Sequence, residues 1–294
     1  MTQTLPRSAA LIVNAKSRRG REAYREACWL LKAAGIELIS STAVRDPNKL
    51  AGEVERAVKA GAPMVIVGGG DGSLSSSVDF LVGTETVFAL LPLGTANSFA
   101  RTLGIPLDVP GAVKVIAEGQ AKRIDLGVID GDYFANCAAI GISPLIAETV
   151  PHGLKKWLGR PGYLGWAAIQ MARYKPFCLT VTEGETVHQL NALEVRIANG
   201  AYHGGTELVD AQVDSGEIVI QAIEGTWRTK LLWSWGLSLL GRDKALGTVR
   251  EFRGRSFQVE TQPPLPISID GEVLAHTPVT ARVARAVMLM AVPG

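Results

Sequence analysis

A chain of 294 residues, 47% hydrophobic and 20% charged, is long enough for two buried cores and has the composition of an ordinary folded protein. Its 30 basic and 28 acidic side chains leave a net charge of +2, which gives no electrostatic ground for a nucleic-acid partner. Cys28, Cys137 and Cys178 are widely spaced in apolar surroundings and predict buried free thiols in a reducing compartment. No apolar run has the form of a signal peptide or the length of a membrane span, so the expectation is a cytoplasmic protein.

In chain order, residues 9–14 read as a strand, 21–34 as a helix closed by Gly35, and 36–41 as a second strand. A helix is predicted from about 48 to 60, strands at 64–67 and 87–91, and a helix at 74–81 between them. Continuous apolar strands joined by helices imply a parallel sheet covered on both faces, whose ligands sit beyond the strand C-termini. From residue 122 the pattern changes. Strands at 122–129 and 133–139 flank the turn Asp130-Gly131-Asp132, and further strands are predicted at 178–182, 192–199, 218–223, 248–253, 256–261, 267–270 and 279–290, the last with a turn inside it. That spacing reads as a sandwich or barrel. Two helical insertions, 153–174 and 227–240, hold five of the six tryptophans beside basic residues. Such a surface suits anionic lipid headgroups, although either stripe taken alone is better explained as cover for a sheet.

The strand at 64–67 runs into Gly68-Gly69-Gly70-Asp71-Gly72-Ser73. Glycines let successive N–H groups close around an anion, and a helix starting near Ser73 adds its positive end; a tight turn capped by Asp71 is the competing reading. Two further polar loops follow neighbouring strands: Asn14-Ala15-Lys16-Ser17-Arg18-Arg19-Gly20, and Pro92-Leu93-Gly94-Thr95-Ala96-Asn97-Ser98-Phe99-Ala100-Arg101. Three such loops at one edge favour a phosphate-binding crevice. His152, His188, His203 and His276 share no metal-ligand spacing and are expected to be surface or structural residues.

These motifs, with Asn199-Gly200-Ala201-Tyr202-His203-Gly204-Gly205 and Asp270-Gly271-Glu272, resemble the diacylglycerol kinase catalytic-domain family, which includes bacterial lipid kinases and is distantly related to NAD kinases. The resemblance implies a Rossmann-like α/β N-terminal domain, 1–128, binding nucleotide, and a C-terminal β-sandwich domain with helical insertions, 129–294, binding lipid. It implies transfer of the γ-phosphoryl group of ATP to a lipid hydroxyl, with Mg2+. Phosphates would lie against Gly69, Gly70, Gly72 and Ser73, with Asn14, Lys16, Thr42, Gly94, Thr95 and Asn97 completing the ATP site. Asp71 would hold magnesium on the phosphates, and Lys16 or Arg21 would offset charge on the γ-phosphate. Glu272 is the expected proton acceptor, with Asp270 a close second.

Two positions depart from the family pattern. Ser98 replaces an aspartate that would link the nucleotide site towards Asp125. Ser215 replaces an aspartate of a structural magnesium site that would also use Gln212 and Glu217. The function expected is an ATP-dependent lipid kinase that touches the inner membrane face transiently, with a homodimer allowed. An NAD-kinase-like enzyme with a soluble acceptor and a non-catalytic nucleotide or lipid sensor are the alternatives.

Overall fold

In a computed structural model, the chain is described at residues 3–149, 166, 169–170, 173–225 and 249–294. The first half contains β1 (Gln3–Thr4), β2 (Ser8–Asn14), α1 (Arg18–Ala33), β3 (Glu37–Val44), α2 (Leu50–Lys59), β4 (Met64–Gly69), α3 (Asp71–Val78), β5 (Val87–Pro92), α4 (Ser98–Thr102), α5 (Val109–Glu118) and β6 (Gln120–Ile129). It continues with β7 (Asp132–Phe134), β8 (Cys137–Gly141), α6 (Ile142–Thr149), β9 (Phe177–Glu183), β10 (Thr186–Ala198), β11 (Tyr202–His203), β12 (Thr206–Glu207) and β13 (Ile218–Glu224). The last elements are β14 (Val249–Gly254), β15 (Ser256–Gln262), β16 (Pro266–Ile269), β17 (Glu272–His276) and β18 (Val279–Val292).

Strands β3, β2, β4 and β5 pair in that order and in parallel, as apolar strands separated by helices require. Their buried residues, such as Leu11, Ile12, Ile66, Val67 and Phe88, form one core with α1, α2 and α5. The β-rich half packs a second core around Leu179, Val195, Ile220 and Phe257. Its strands run antiparallel, with β10 pairing to β8, β9 and β13, and β15 to β9 and β18. An α/β half and a β-sandwich-like half result.

Strand β18 belongs to both. Its first part pairs with β15, and Leu289 and Met290 pair in parallel with Val87 and Phe88 of β5. The turn anticipated inside it is a register break between Ala284 and Met288, with Ala286 at φ 51. Asp125, 4% exposed, holds this break: Oδ1 accepts the Ala286 N–H at 2.7 Å, and Oδ2 accepts that of Gly216 at 2.6 Å.

Sequence periodicity overlooks α4, α5, α6, β11, β12 and β17. Helix α5 carries its own start signal, since Asp108 accepts the Gly111 N–H at 2.7 Å and Pro110 lies in the first turn. Helix α1 begins before residue 21 because Ser17 caps it through the Gly20 N–H. The stretch 133–139 divides into β7, which pairs with β6 across the Asp130-Gly131 turn, and β8, which joins β10 and β16. Of the thiols only Cys137 is buried; Cys28 and Cys178 are half-buried, which corrects the expectation for those two. Most of the tryptophan-rich insertions, and His152, lie outside the described residues. Trp166 is described, and it packs against the second core.

Candidate active site

Strands β2, β4 and β5 are neighbours, so the loops leaving their C-terminal ends are neighbours too. Gly69 is still in register with Pro92, and the Leu93 N–H donates to Gly69 O at 2.8 Å. Beyond this point the two glycine loops touch: a Cβ on Gly94 would stand 2.5 Å from the Gly70 Cα. A Cβ on Gly69 would collide with the Ser73 side chain, whereas Gly72 faces open space. Helix α3 starts at Asp71, so its free N–H groups open into this crevice.

Asp71 is half-buried, and its Oδ1 accepts the Phe99 N–H at 3.2 Å, joining the first glycine loop to the start of α4. Asn97 adopts a left-handed conformation (φ 49, ψ 46) that asparagine tolerates better than most residues. Its side chain clasps its own loop: Oδ1 accepts from Gly94 N–H at 2.8 Å and Nδ2 donates to Gly94 O at 3.0 Å. Asn97 therefore shapes the loop with both side-chain groups. Thr95 is exposed at the rim. A cleft lies between these loops, lined by Gly69, Gly70, Asp71, Pro92, Asn97 and Phe99.

In the loop after β2, Asn14 Oδ1 accepts the Lys16 N–H at 3.3 Å, and Arg21 Nη1 reaches Lys16 O at 3.4 Å. The Lys16 side chain is exposed. Thr42 lies on β3 opposite Ile12, two residues before the strand end.

The β-rich half supplies Asp270 and Glu272. Asp270 and Gly271, at φ 44 and 101, form the two-residue turn between Ile269 and Glu272, as Asp-Gly favours. The Asp270 carboxylate accepts three main-chain N–H groups, from Ala135 at 2.9 Å, Asn136 at 3.1 Å and Cys137 at 3.0 Å. Burial nevertheless pushes its pKa up to about 6; those three bonds oppose the shift and the charge of Asp71 adds to it. Glu272 is exposed at the start of β17. The turn residue thus anchors residues 135–137, while the next carboxylate is open to solvent.

Ser98 Oγ accepts the Gly205 N–H at 3.1 Å, while Asp125 bonds Gly216 and Ala286. The polar connection from Ser98 therefore runs to the β11–β12 ribbon. Ser215 Oγ lies 2.9 Å from Gln212 O and 3.3 Å from Glu217 O, a hydroxyl bridging two carbonyls. Asp214 pairs with Lys122 at 2.5 Å. Ser215 supplies a neutral hydroxyl and Asp214 is paired with Lys122, which leaves a structural magnesium only the exposed Glu217 carboxylate of the expected set, a poor fit for that ion. Among the described residues, no three His, Cys, Asp or Glu side chains cluster as metal ligands. Asp71, with one oxygen engaged, fits a magnesium that arrives with most of its ligands on phosphate.

One group that sequence reasoning overlooks is Glu194, Arg196 and Gln221, all under 7% exposed. Arg196 donates to Glu194 Oε1 at 2.9 Å and to Gln221 Oε1 at 3.0 Å. The alternation Glu194-Val195-Arg196-Ile197 reads as a half-solvated strand, but loop 199–211 covers its polar face. Burial, then Arg196, holds the His203 imidazole below its usual pKa, against the opposing charges of Glu194 and Asp71.

A parallel sheet with glycine loops at adjacent strand ends, beside a β-rich half that carries Asp270 and Glu272, fits a phosphate-binding enzyme, and its relatives make it a kinase. The chain belongs to the diacylglycerol kinase catalytic-domain family: residues 8–129 match the Diacylglycerol kinase catalytic domain, and 138–292 the YegS C-terminal NAD kinase beta sandwich-like domain. A Probable lipid kinase YegS-like from Chromohalobacter salexigens is 30% identical over 96% of this chain and 92% of its own. The Probable lipid kinase YegS of Salmonella arizonae is 31% identical over 90% of this chain and 89% of its own. A solved structure from Bacillus anthracis str. Sterne aligns with TM-score 0.80 at 23% identity, over 99% of this chain and 96% of that one. A diacylglycerol kinase structure from the same organism gives 0.76 at 21%, over 97% of each chain. At these identities the structural likeness is one of fold.

Proposed function

We propose that the protein is an ATP-dependent lipid kinase that transfers the γ-phosphoryl group to a lipid hydroxyl in the cleft between its halves. The observation that carries this reading is the contact of the Gly69–Ser73 and Gly94–Asn97 loops at adjacent strand ends, with Asp71 joining them. N–H groups of Gly70 and Gly72, the Ser73 hydroxyl and the start of α3 receive phosphate, Asn14 and Thr42 border the nucleotide, and Lys16 or Arg21 offsets charge. Magnesium, held by Asp71 and the phosphates, would neutralise charge as the phosphoryl group moves.

The acceptor oxygen forms a bond to the γ-phosphorus as the bond to the β-bridging oxygen breaks and ADP leaves. Glu272 takes the hydroxyl proton, its carboxylate being exposed where that of Asp270 is committed to three N–H groups. Asp270 holds the turn that carries it. Residues 1–128 form the nucleotide-binding unit and 129–294 the lipid unit in this reading, with the end of β18 returning to the first. The enzyme works in the cytoplasm and visits the inner membrane face. No helix among the described residues is long and apolar enough to cross a membrane.

The test is transfer from labelled ATP with magnesium into a mixed-lipid extract in detergent micelles, comparing wild type with Glu272→Gln. A labelled lipid made by wild type, with kcat at least about a hundredfold lower in the variant, is expected. ATP binding without any lipid product would overturn the kinase reading in favour of a sensor.

A further inference from the structure

The ribbon β11–β12 is the part of the β-rich half that rests on the second glycine loop. The Gly205 N–H donates to Ser98 Oγ at 3.1 Å, and the Tyr202 N–H to Thr102 Oγ1 at 3.4 Å. A Cβ on Gly205 would stand 3.4 Å from the Ala96 Cα. The start of the same helix, α4, is bonded to Asp71. Two glycines of left-handed φ, Gly204 (+60) and Gly205 (+86), turn the ribbon so that it meets this loop.

Tyr202 reaches across the ribbon to Glu207, its hydroxyl 3.5 Å from Oε2. Neighbouring residues of a strand point to opposite faces, so His203 takes the other face. There it is half-buried, among the charges of Arg196, Glu194 and Asp71. Its surroundings are fixed: Arg196 is tied to Glu194 and Gln221, and Gln221 Nε2 donates to Leu208 O at 2.8 Å, just past the ribbon. We propose that His203 is a further active-site residue, whose imidazole N–H bonds the terminal phosphoryl group of the bound nucleoside triphosphate. This rests on the nucleotide reading above. A neutral imidazole donates through one nitrogen and brings no charge to compete with magnesium. Burial and Arg196 favour that neutral form.

The test is calorimetric titration of wild type, His203→Phe and His203→Gln with magnesium and either a non-hydrolysable ATP analogue or ADP. Phenylalanine keeps a ring and removes the donor, so triphosphate binding should weaken about tenfold while ADP binding stays unchanged. Glutamine restores a donor and should recover most of the loss. Equal weakening for both nucleotides, or none for either, overturns the proposal and leaves the kinase reading standing. If wild type binds neither nucleotide, the nucleotide site itself falls, and this inference with it. Ser98→Ala gives an independent check, because it removes the acceptor that docks the ribbon. It should reproduce the triphosphate-selective loss, and indifference to the nucleotide's length would count against the proposal.

Discussion

Replacing Asp270 by asparagine should make stability depend on pH in a way that isolates one carboxyl. In the folded chain its pKa is about 6 against an ordinary 3.8, so the folded state holds the proton more tightly than the unfolded chain. A carboxyl with a raised pKa contributes its stability below the unfolded value and loses it as pH rises through the folded one. The full loss is about 3 kcal/mol, of which about 2 kcal/mol falls between about pH 4.5 and about pH 7.5. Asparagine cannot titrate, and its NH2 group opposes main-chain N–H donors where the carboxyl offers an oxygen on each side, so the variant is less stable at low pH. Wild type loses that advantage as pH climbs. Urea unfolding of both proteins at the two pH values gives the difference of differences, in which every other titrating group cancels. A gap between variant and wild type that stays constant to within about 0.5 kcal/mol would refute the buried, proton-holding carboxyl.

Gly94→Ala drives a methyl against the Gly70 backbone and should abolish tight nucleotide binding while leaving the circular dichroism spectrum unchanged. Asn97→Ala removes two bonds to Gly94 and a residue suited to its left-handed backbone, and should cost about 2 kcal/mol of unfolding free energy. Arg196→Met strips the guanidinium from buried Glu194 and should lower stability by about 3–5 kcal/mol, read from urea midpoints. Ser215→Asp puts a carboxylate between the Gln212 and Glu217 carbonyls. Its Tm should rise on adding magnesium, whereas the wild-type Tm should ignore both magnesium and a chelator.

The alternation of apolar strands and helices was plain in the sequence because buried parallel strands read as continuous Val-Ile-Leu runs, and glycine marks where they end. The three loops could be expected to meet, since neighbouring strands place their ends side by side. Pairing across long separations left no such trace: nothing local in Val279–Val292 says that its last residues join β5. Glu194 and Arg196 look like the wet face of a strand, and only the fold of loop 199–211 over them reveals their burial. Ser98 and Ser215 could be recognised as departures, but not the neutral contacts each makes, because a hydroxyl's partner is decided by three-dimensional packing.

The parallel pairing of Leu289 and Met290 with β5 has a consequence for how the chain reaches its native state. Strand β5 is made early, and its neighbour follows about two hundred residues later. Until those residues arrive, the α/β half exposes the β5 edge at Val87 and Phe88, which in the finished protein are nearly inaccessible. A fragment ending at residue 128 would carry that edge permanently and self-associate through it. Strand β18 therefore acts as the latch of the α/β half, and loss of Leu289 and Met290 would reach the nucleotide loops through β5 without touching either of them.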